Sequence, residues 1–193
     1  LDGRITAEGR RVRALPLPPR LARMILAARS LQAAELAAIL VERGLGGNET
    51  DLEYRMSSFR RDRSRRAEDM RGLATAWAKA AGATPSSSDD SIAALLALAY
   101  PDRIAKARGA PGQFLLANGR GAYVDPGDGL AKSPYLIVAE LQGTAAHTRI
   151  LSAARTSDVE VSTLARNRIV ESEELTFDTD ARAVRTRRIR RLG

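Results

Sequence analysis

The feature that most constrains this chain is a change of hydrophobic period at Gly109. Before it, apolar side chains recur every three or four residues, which gathers them on one face of a helix. After it they alternate or run in short unbroken stretches, as strands do. Helices collected in the first part and strands in the second predict an α+β fold, an N-terminal helical bundle followed by a β-barrel. At 193 residues there is room for one large domain or two small ones.

Pro16, Pro18 and Pro19 break the chain, and Pro19 suits a first helical position because its missing N–H costs nothing there. Leu21, Met24, Ile25 and Ala28 then follow at i, i+3, i+4 and i+7. Residues 31–43 carry Leu36, Ile39 and Leu40, with Gly44 as a natural stop. Asp51 is a good N-cap for the face Leu52, Met56 and Phe59, which continues through Met70, Leu73 and Trp77 as one long helix or a broken pair. Residues 82–88 read as a Gly/Pro/Ser linker, and Asp89 and Asp90 as caps of a helix with the face Ile92, Leu95, Leu96 and Ala99. Pro101 interrupts that helix, and residues 102–108 add a last basic turn. Residues 1–9 read as a turn or the tail of a preceding domain.

In the second part, residues 113–118 and 122–124 flank an Asn118-Gly119-Arg120-Gly121 turn. Residues 135–141 form a nearly continuous apolar run, residues 148–154 another strand, and residues 157–166 a short helix. Residues 168–178 and 182–192 make a hairpin around Asp178-Thr179-Asp180. A run of strands, then a helix, then a further pair of strands follows the order of the five-stranded OB-like barrel. The expected division is 1–16 as a leading segment, 17–110 as the bundle and 111–193 as the barrel.

Several functions are excluded. There is no cysteine, hence no disulfide scaffold or thiolate metal site. No apolar run approaches the ~20 residues of a membrane span, and the first residues lack the apolar stretch of a signal peptide, so the expected location is the cytoplasm. A start at Leu rather than Met, and an end inside a basic run, suggest a fragment. No G-x-x-x-x-G-K-[ST] loop occurs, and Gly44, Gly46 and Gly47 lack the lysine that would reach a phosphate. His147 has no neighbouring nucleophile motif and no second ligand, so it reads as a surface or strand-edge histidine. Asp89-Asp90 reads as a cap, and Glu171, Glu173 and Glu174 as solvent-facing strand positions. The chain shows no catalytic centre and no cofactor site.

Charge points elsewhere. Lys plus Arg outnumber Asp plus Glu by 31 to 23, all but three of the cations are arginine, and the sequence pI is near 10.7. That suits a nucleic-acid partner. The excess concentrates in residues 1–80, with 16 basic against 10 acidic residues. Arg55, Arg60, Arg61, Arg63, Arg65 and Arg66 fall within twelve residues. At helical spacing Arg60, Arg63 and Arg66 share one side, with Arg61 and Arg65 adjacent. They read either as a phosphate-tracking stripe or as a solvated face partly neutralised by Asp62, Glu68 and Asp69. The final run holds Arg182, Arg185, Arg187, Arg188, Arg190 and Arg191, suited to a basic groove or to a charged edge that resists aggregation. Aromatics are few (Phe114, Tyr123, Tyr135 and Phe177), so stacking on bases is expected to be minor and binding mainly to the backbone.

Two sets of motifs carry a resemblance. Gly3-Arg4-Ile5-Thr6, Gly9-Arg10 and Leu15-Pro16-Leu17-Pro18-Pro19-Arg20-Leu21-Ala22 look like the junction in DEAH-box helicases where a winged-helix domain ends and a ratchet-like helical bundle begins. The stretches 95–106, ending Tyr100-Pro101-Asp102-Arg103-Ile104-Ala105-Lys106, and 114–122, with Leu116-Ala117-Asn118-Gly119-Arg120-Gly121, are similar to the bacterial HrpB family. Val138-Ala139-Glu140-Leu141 and Arg190-Arg191-Leu192-Gly193 fit the same pattern. The resemblance runs through essentially the whole chain. It implies an accessory C-terminal part of an ATP-dependent RNA helicase, partnered by single-stranded RNA and by RecA-like motor domains of the same polypeptide. ATP and Mg²⁺ would be held by those domains and not here. It also implies that Arg20, Arg103, Lys106, Asn118 and Arg120 contact RNA or the motor, beside Arg60, Arg61, Arg63, Arg187 and Arg188 from the basic runs. Asn118 also suits a tight turn, and Arg103 and Lys106 a helix end. A free-standing OB-fold nucleic-acid binder and a protein-interaction platform are the alternatives.

Overall fold

A computed structural model describes residues 4–84, 90–144, 147–166, 169–178 and 183–192; in the last two segments side chains are described only at Glu173, Leu175 and Val184. Six helices open the chain: α1 (Ala7–Ala14), α2 (Pro19–Ala28), α3 (Leu31–Val41), α4 (Leu52–Arg61), α5 (Arg65–Ala80) and α6 (Ile92–Ala99). Then come β1 (Ile104–Ala107), β2 (Gln113–Leu116), β3 (Gly121–Tyr123), β4 (Tyr135–Gly143), β5 (Thr148–Thr156), α7 (Asp158–Leu164), β6 (Ile169–Asp178) and β7 (Ala183–Leu192). The α+β fold with an OB-like closed barrel is as expected.

Local chemistry sets most helix starts. Pro19 occupies the first turn of α2, and Asp51 caps α4 through the amide of Glu53. Ser30, Ser64 and Ser91 accept from the third residue of α3, α5 and α6. Ser91 therefore does the capping work expected of Asp90, and Asp89 lies outside the described residues. Ser64 also explains why residues 52–80 form two helices. The chain leaves α4 at Asp62, whose carboxylate accepts from the Ser64 amide, and restarts. α1 is a full helix capped by Thr6, where a turn or tail was expected through Gly9. α3 is buried on almost every side, from Ala33 to Ile39, and forms the centre of the bundle.

The barrel closes in the order β1-β2-β3-β5-β4. All pairs are antiparallel except β3 with β5, joined in parallel at Tyr123 and Arg149. Two expectations are corrected. Residues 104–107 are the first barrel strand, not a last helical turn, because their backbone groups find partners on both β2 and β4. Such pairing outweighs a four-residue local pattern. The hairpin of β6 and β7 pairs as expected but forms its own two-stranded sheet outside the barrel.

The barrel has an apolar core of its own, and its outer wall joins the core of the bundle. Inside the barrel lie Ala105, Phe114, Leu116, Val124, Leu136 and Val138, among others. The alternate residues of β4, Ile137 and Ala139, point the other way and join the bundle's core with Ile104 and Ala154. This two-sided burial is why residues 135–141 read as a nearly continuous apolar run.

Candidate nucleic-acid interface

Each expected contact residue has a definite place. Arg20, on α2, donates to Asp102 at 2.6 Å, reaches the Ala99 carbonyl at 3.4 Å and lies over the Tyr100 ring. The Asp102 hydrogen bond holds that guanidinium pKa above its ordinary value and pulls the Asp102 carboxyl down. Arg103 donates to the Ala139 carbonyl of β4 and lies over the Tyr100 ring, 4.8 Å from its centroid. Burial pushes the Tyr100 hydroxyl up. Arg20 and Arg103 thus hold the junction between bundle and barrel around one tyrosine.

The arginine run of α4 and α5 is divided among different tasks. Arg55 is buried, 6% exposed; its guanidinium donates to Ser152 Oγ at 3.1 Å, to the Ile39 carbonyl at 3.0 Å and to the Leu45 carbonyl at 3.3 Å. Burial pushes its pKa down, with Glu140 behind Ser152 opposing the fall. Arg60 grips Glu35 at 2.7 Å, and Glu35 is only 7% exposed. Arg66 pairs with Glu42 and the Arg43 carbonyl. Arg61 and Arg63, at the exposed break between α4 and α5, have no hydrogen bond or ion pair among the described residues.

On the barrel, Asn118 serves its own turn: its Oδ1 accepts from the Arg120 amide while Gly119 adopts φ +82°. Arg120 is exposed at the tip of that turn and Lys106 is exposed on β1, its ammonium 5.9 Å from the Tyr135 centroid. β7 sets Arg187 opposite Glu174 and Arg188 opposite Glu173 by register. The side chains of Arg187 and Arg188, the turn at 179–180, and Gly3 lie outside the described residues.

The barrel wall has two different outer faces. Over β4 and β5 the bundle covers Ile137, Ala139 and Ala154. Over β1, β2 and β3 the outward positions include Lys106, Gln113, Leu115 and Tyr123, all exposed or half-buried. Beside them Arg108 and Arg149 are exposed and have no acidic partner among the described residues. The nearby Asp125 and Asp128 are turned into their own loop, accepting from Gly127 and Leu130 amides. Sequence reasoning passed over Arg108, Arg149 and the pairing of Tyr123 with His147 (ring centroids 4.7 Å apart), because the signal lay in strand alternation across four short strands. Among the described residues there is no group of three or more His, Cys, Asp or Glu arranged to hold a metal, and no helix long and apolar enough to cross a membrane.

No family model matches the chain. Among curated proteins it is 38% identical over 161 residues to the ATP-dependent RNA helicase HrpB of Escherichia coli K12, a match covering 79% of this chain and 19% of that protein. Two crystal structures, of the E. coli DExH-box NTPase HrpB and of the E. coli DEAH/RHA helicase HrpB, superpose on all of it with TM-scores of 0.82 and 0.79 at 31% identity. The chain belongs to the HrpB family. It spans about a fifth of the curated HrpB and 24% of each solved chain, so it corresponds to one segment of a larger helicase.

Proposed function

We propose that this chain is the accessory, non-motor segment of an ATP-dependent DEAH-box RNA helicase. It adds contacts to single-stranded RNA and transmits movement to and from RecA-like motor domains elsewhere in the same polypeptide. ATP and Mg²⁺ belong to those domains, and the setting is the cytoplasm. Likeness to HrpB supports the reading, as does the lack of a phosphate-cradling loop in the sequence. The observation that carries it is a division among the cations. Those facing the interior or the junction (Arg20, Arg55, Arg60, Arg103) are held by acids and carbonyls. Arg61 and Arg63 at the α4–α5 break, and the cations on the open barrel wall, have no acidic partner among the described residues. A protein of +8 formal charge that leaves such arginines unneutralised attracts a polyanion, and guanidinium suits phosphate.

The test is fluorescence anisotropy of a labelled uridine oligonucleotide at salt from about 50 to 200 mM, where counterion release dominates. Affinity is expected to fall with salt by roughly 0.7 log unit per log salt for each phosphate neutralised. Arg61→Glu combined with Arg63→Glu is expected to weaken binding and lower that slope by roughly 1.4, with an unchanged melting temperature. No ATP turnover is expected from the chain by itself. Negligible binding at the lowest salt overturns the proposal in favour of a protein-interaction platform, and ATP hydrolysis by a contaminant-free preparation overturns the non-motor assignment.

A further inference from the structure

The open wall of the barrel carries one transverse row of basic, amide and aromatic side chains. Residues paired across adjacent strands project on the same side of a sheet. Gln113 of β2 is the register partner of Tyr123 of β3, and Tyr123 is the register partner of Arg149 of β5. Arg108, just past β1, extends the row, its amide donating to the Gln113 carbonyl. That the row faces outward follows from its neighbours: Phe114, Ala122, Val124 and Ile150 all point into the barrel core. Arg108, Gln113 and Arg149 are exposed and Tyr123 is half-exposed.

His147 completes it. Its exposed ring packs on Tyr123 with centroids 4.7 Å apart and planes inclined at 47°. The backbone holds it there. His147 and Thr144 exchange both backbone hydrogen bonds, and Gly143, at φ +118°, passes so close to the His147 carbonyl that no side chain fits. Among the described residues neither the Tyr123 hydroxyl nor the imidazole has a hydrogen-bond partner. Beside the row, half-buried Leu115 pairs with Gly121, which leaves open space above the sheet. The result is an exposed aromatic pair on a shelf, flanked on each side by an arginine that has no acidic partner among the described residues.

We infer that this row is a base-stacking subsite for single-stranded RNA: a nucleobase lies on the Tyr123–His147 pair, and Arg108 and Arg149 take the flanking phosphates. Aromatic rings receive any base because every base has a π-face, and guanidinium binds phosphate through two parallel N–H groups. Three interstrand spacings of about 4.8 Å separate Arg108 from Arg149, about 14 Å in all, or roughly four nucleotides at the 3.4 Å rise of a stacked strand. Gln113, between them, offers both a donor and an acceptor to a base edge. The inference rests on the RNA-binding reading above and adds to it that binding depends on bases as well as backbone.

The test uses the whole chain with two labelled probes of equal length and charge, an oligouridine and the same sugar–phosphate backbone without bases. The wild-type protein is expected to prefer the base-bearing probe by roughly 5- to 150-fold, the range of one stacked base. Tyr123→Leu is expected to abolish that preference while keeping affinity for the abasic probe, and Tyr123→Phe to retain it. Arg149→Gln is expected to lower the salt slope for both probes by roughly 0.7. Equal wild-type affinity for the two probes, or a Tyr123→Leu protein that keeps the preference, overturns the subsite and leaves the electrostatic reading standing. Failure of wild type to bind either probe overturns both. Should Tyr123→Leu fail to fold, His147→Ala in the outer turn substitutes for it, with the same loss of preference expected.

Discussion

Replacing Arg55 by Met tests how bundle and barrel are held together. The side chain leaves α4, passes between α3 and the barrel, and ends on three acceptors: Ser152 Oγ of β5, the Ile39 carbonyl and the Leu45 carbonyl. Ser152 in turn donates to Glu140 of β4, where a shift in register sets Glu140 opposite Ser152. Methionine fills similar space but offers no donor. Two buried carbonyls and a half-buried carboxylate then lose their cation, and breaking a buried, hydrogen-bonded charge in this way costs about 3–5 kcal/mol. One offset exists already, because Arg55 Nε is buried without a partner among the described residues and that cost disappears with the arginine. The lower end, about 3 kcal/mol, is therefore expected. At roughly 2–4 °C per kcal/mol for a chain of this size, the melting temperature should fall by about 6–12 °C. Circular dichroism at 222 nm during heating, with urea unfolding as a second measure, reads the change. Adding Glu140→Gln should recover about 1 kcal/mol, and Arg55→Lys should not rescue, since an ammonium cannot reproduce the guanidinium fork. A melting temperature for Arg55→Met within about 2 °C of wild type would refute the reasoning.

Three further outcomes are expected. Asp102 has its folded pKa depressed chiefly by the Arg20 hydrogen bond, so its contribution is present above the unfolded value near 3.9 and fades as pH falls through the folded one. Half-exposed as the pair is, Asp102→Asn should cost no more than about 1 kcal/mol at pH 7, and the mutant's stability should change less than wild type's below pH 4. Gly46 sits at φ +74°, and a Cβ there would lie 2.3 Å from the Arg55 carbonyl oxygen. Gly46→Ala should therefore destabilise by about 2–3 kcal/mol, whereas Gly82→Ala, also at positive φ but with open space around it, should cost about 1 kcal/mol. Arg60→Ala should lower the melting temperature by several degrees because it leaves Glu35 buried without its cation, while Arg61→Ala and Arg63→Ala leave the melting temperature unchanged.

Most of the architecture was legible where local chemistry and burial agree. The period change, Pro19 and Asp51 place helices correctly because each acts within a few residues. What failed depends on distant partners. Residues 104–107 look like the end of a helix until β2 and β4 supply their hydrogen bonds. The arginine run divides between buried and exposed members for a similar reason, although part of the answer lay in the spacing. Arg55 falls with Leu52, Met56 and Phe59 at i, i+3, i+4 and i+7, the apolar face of α4, which marks it as an inward residue. Glu35, a lone acid in a helix apolar on every side, likewise required a basic partner, and Arg60 supplies it. The open barrel wall was least legible. Tyr123, Gln113 and Arg149 come from three short strands, and only the closed sheet aligns them.

The dual allegiance of β4 limits how this polypeptide can be dissected. Its odd-numbered side chains, Ile137 and Ala139, are buried among helices more than thirty residues upstream, and its even-numbered ones, Leu136 and Val138, line the barrel. A truncation meant to isolate either half would bare a greasy stripe to water and invite clumping. The smallest piece worth purifying keeps α2 through β5 intact, because one strand belongs to both cores at once.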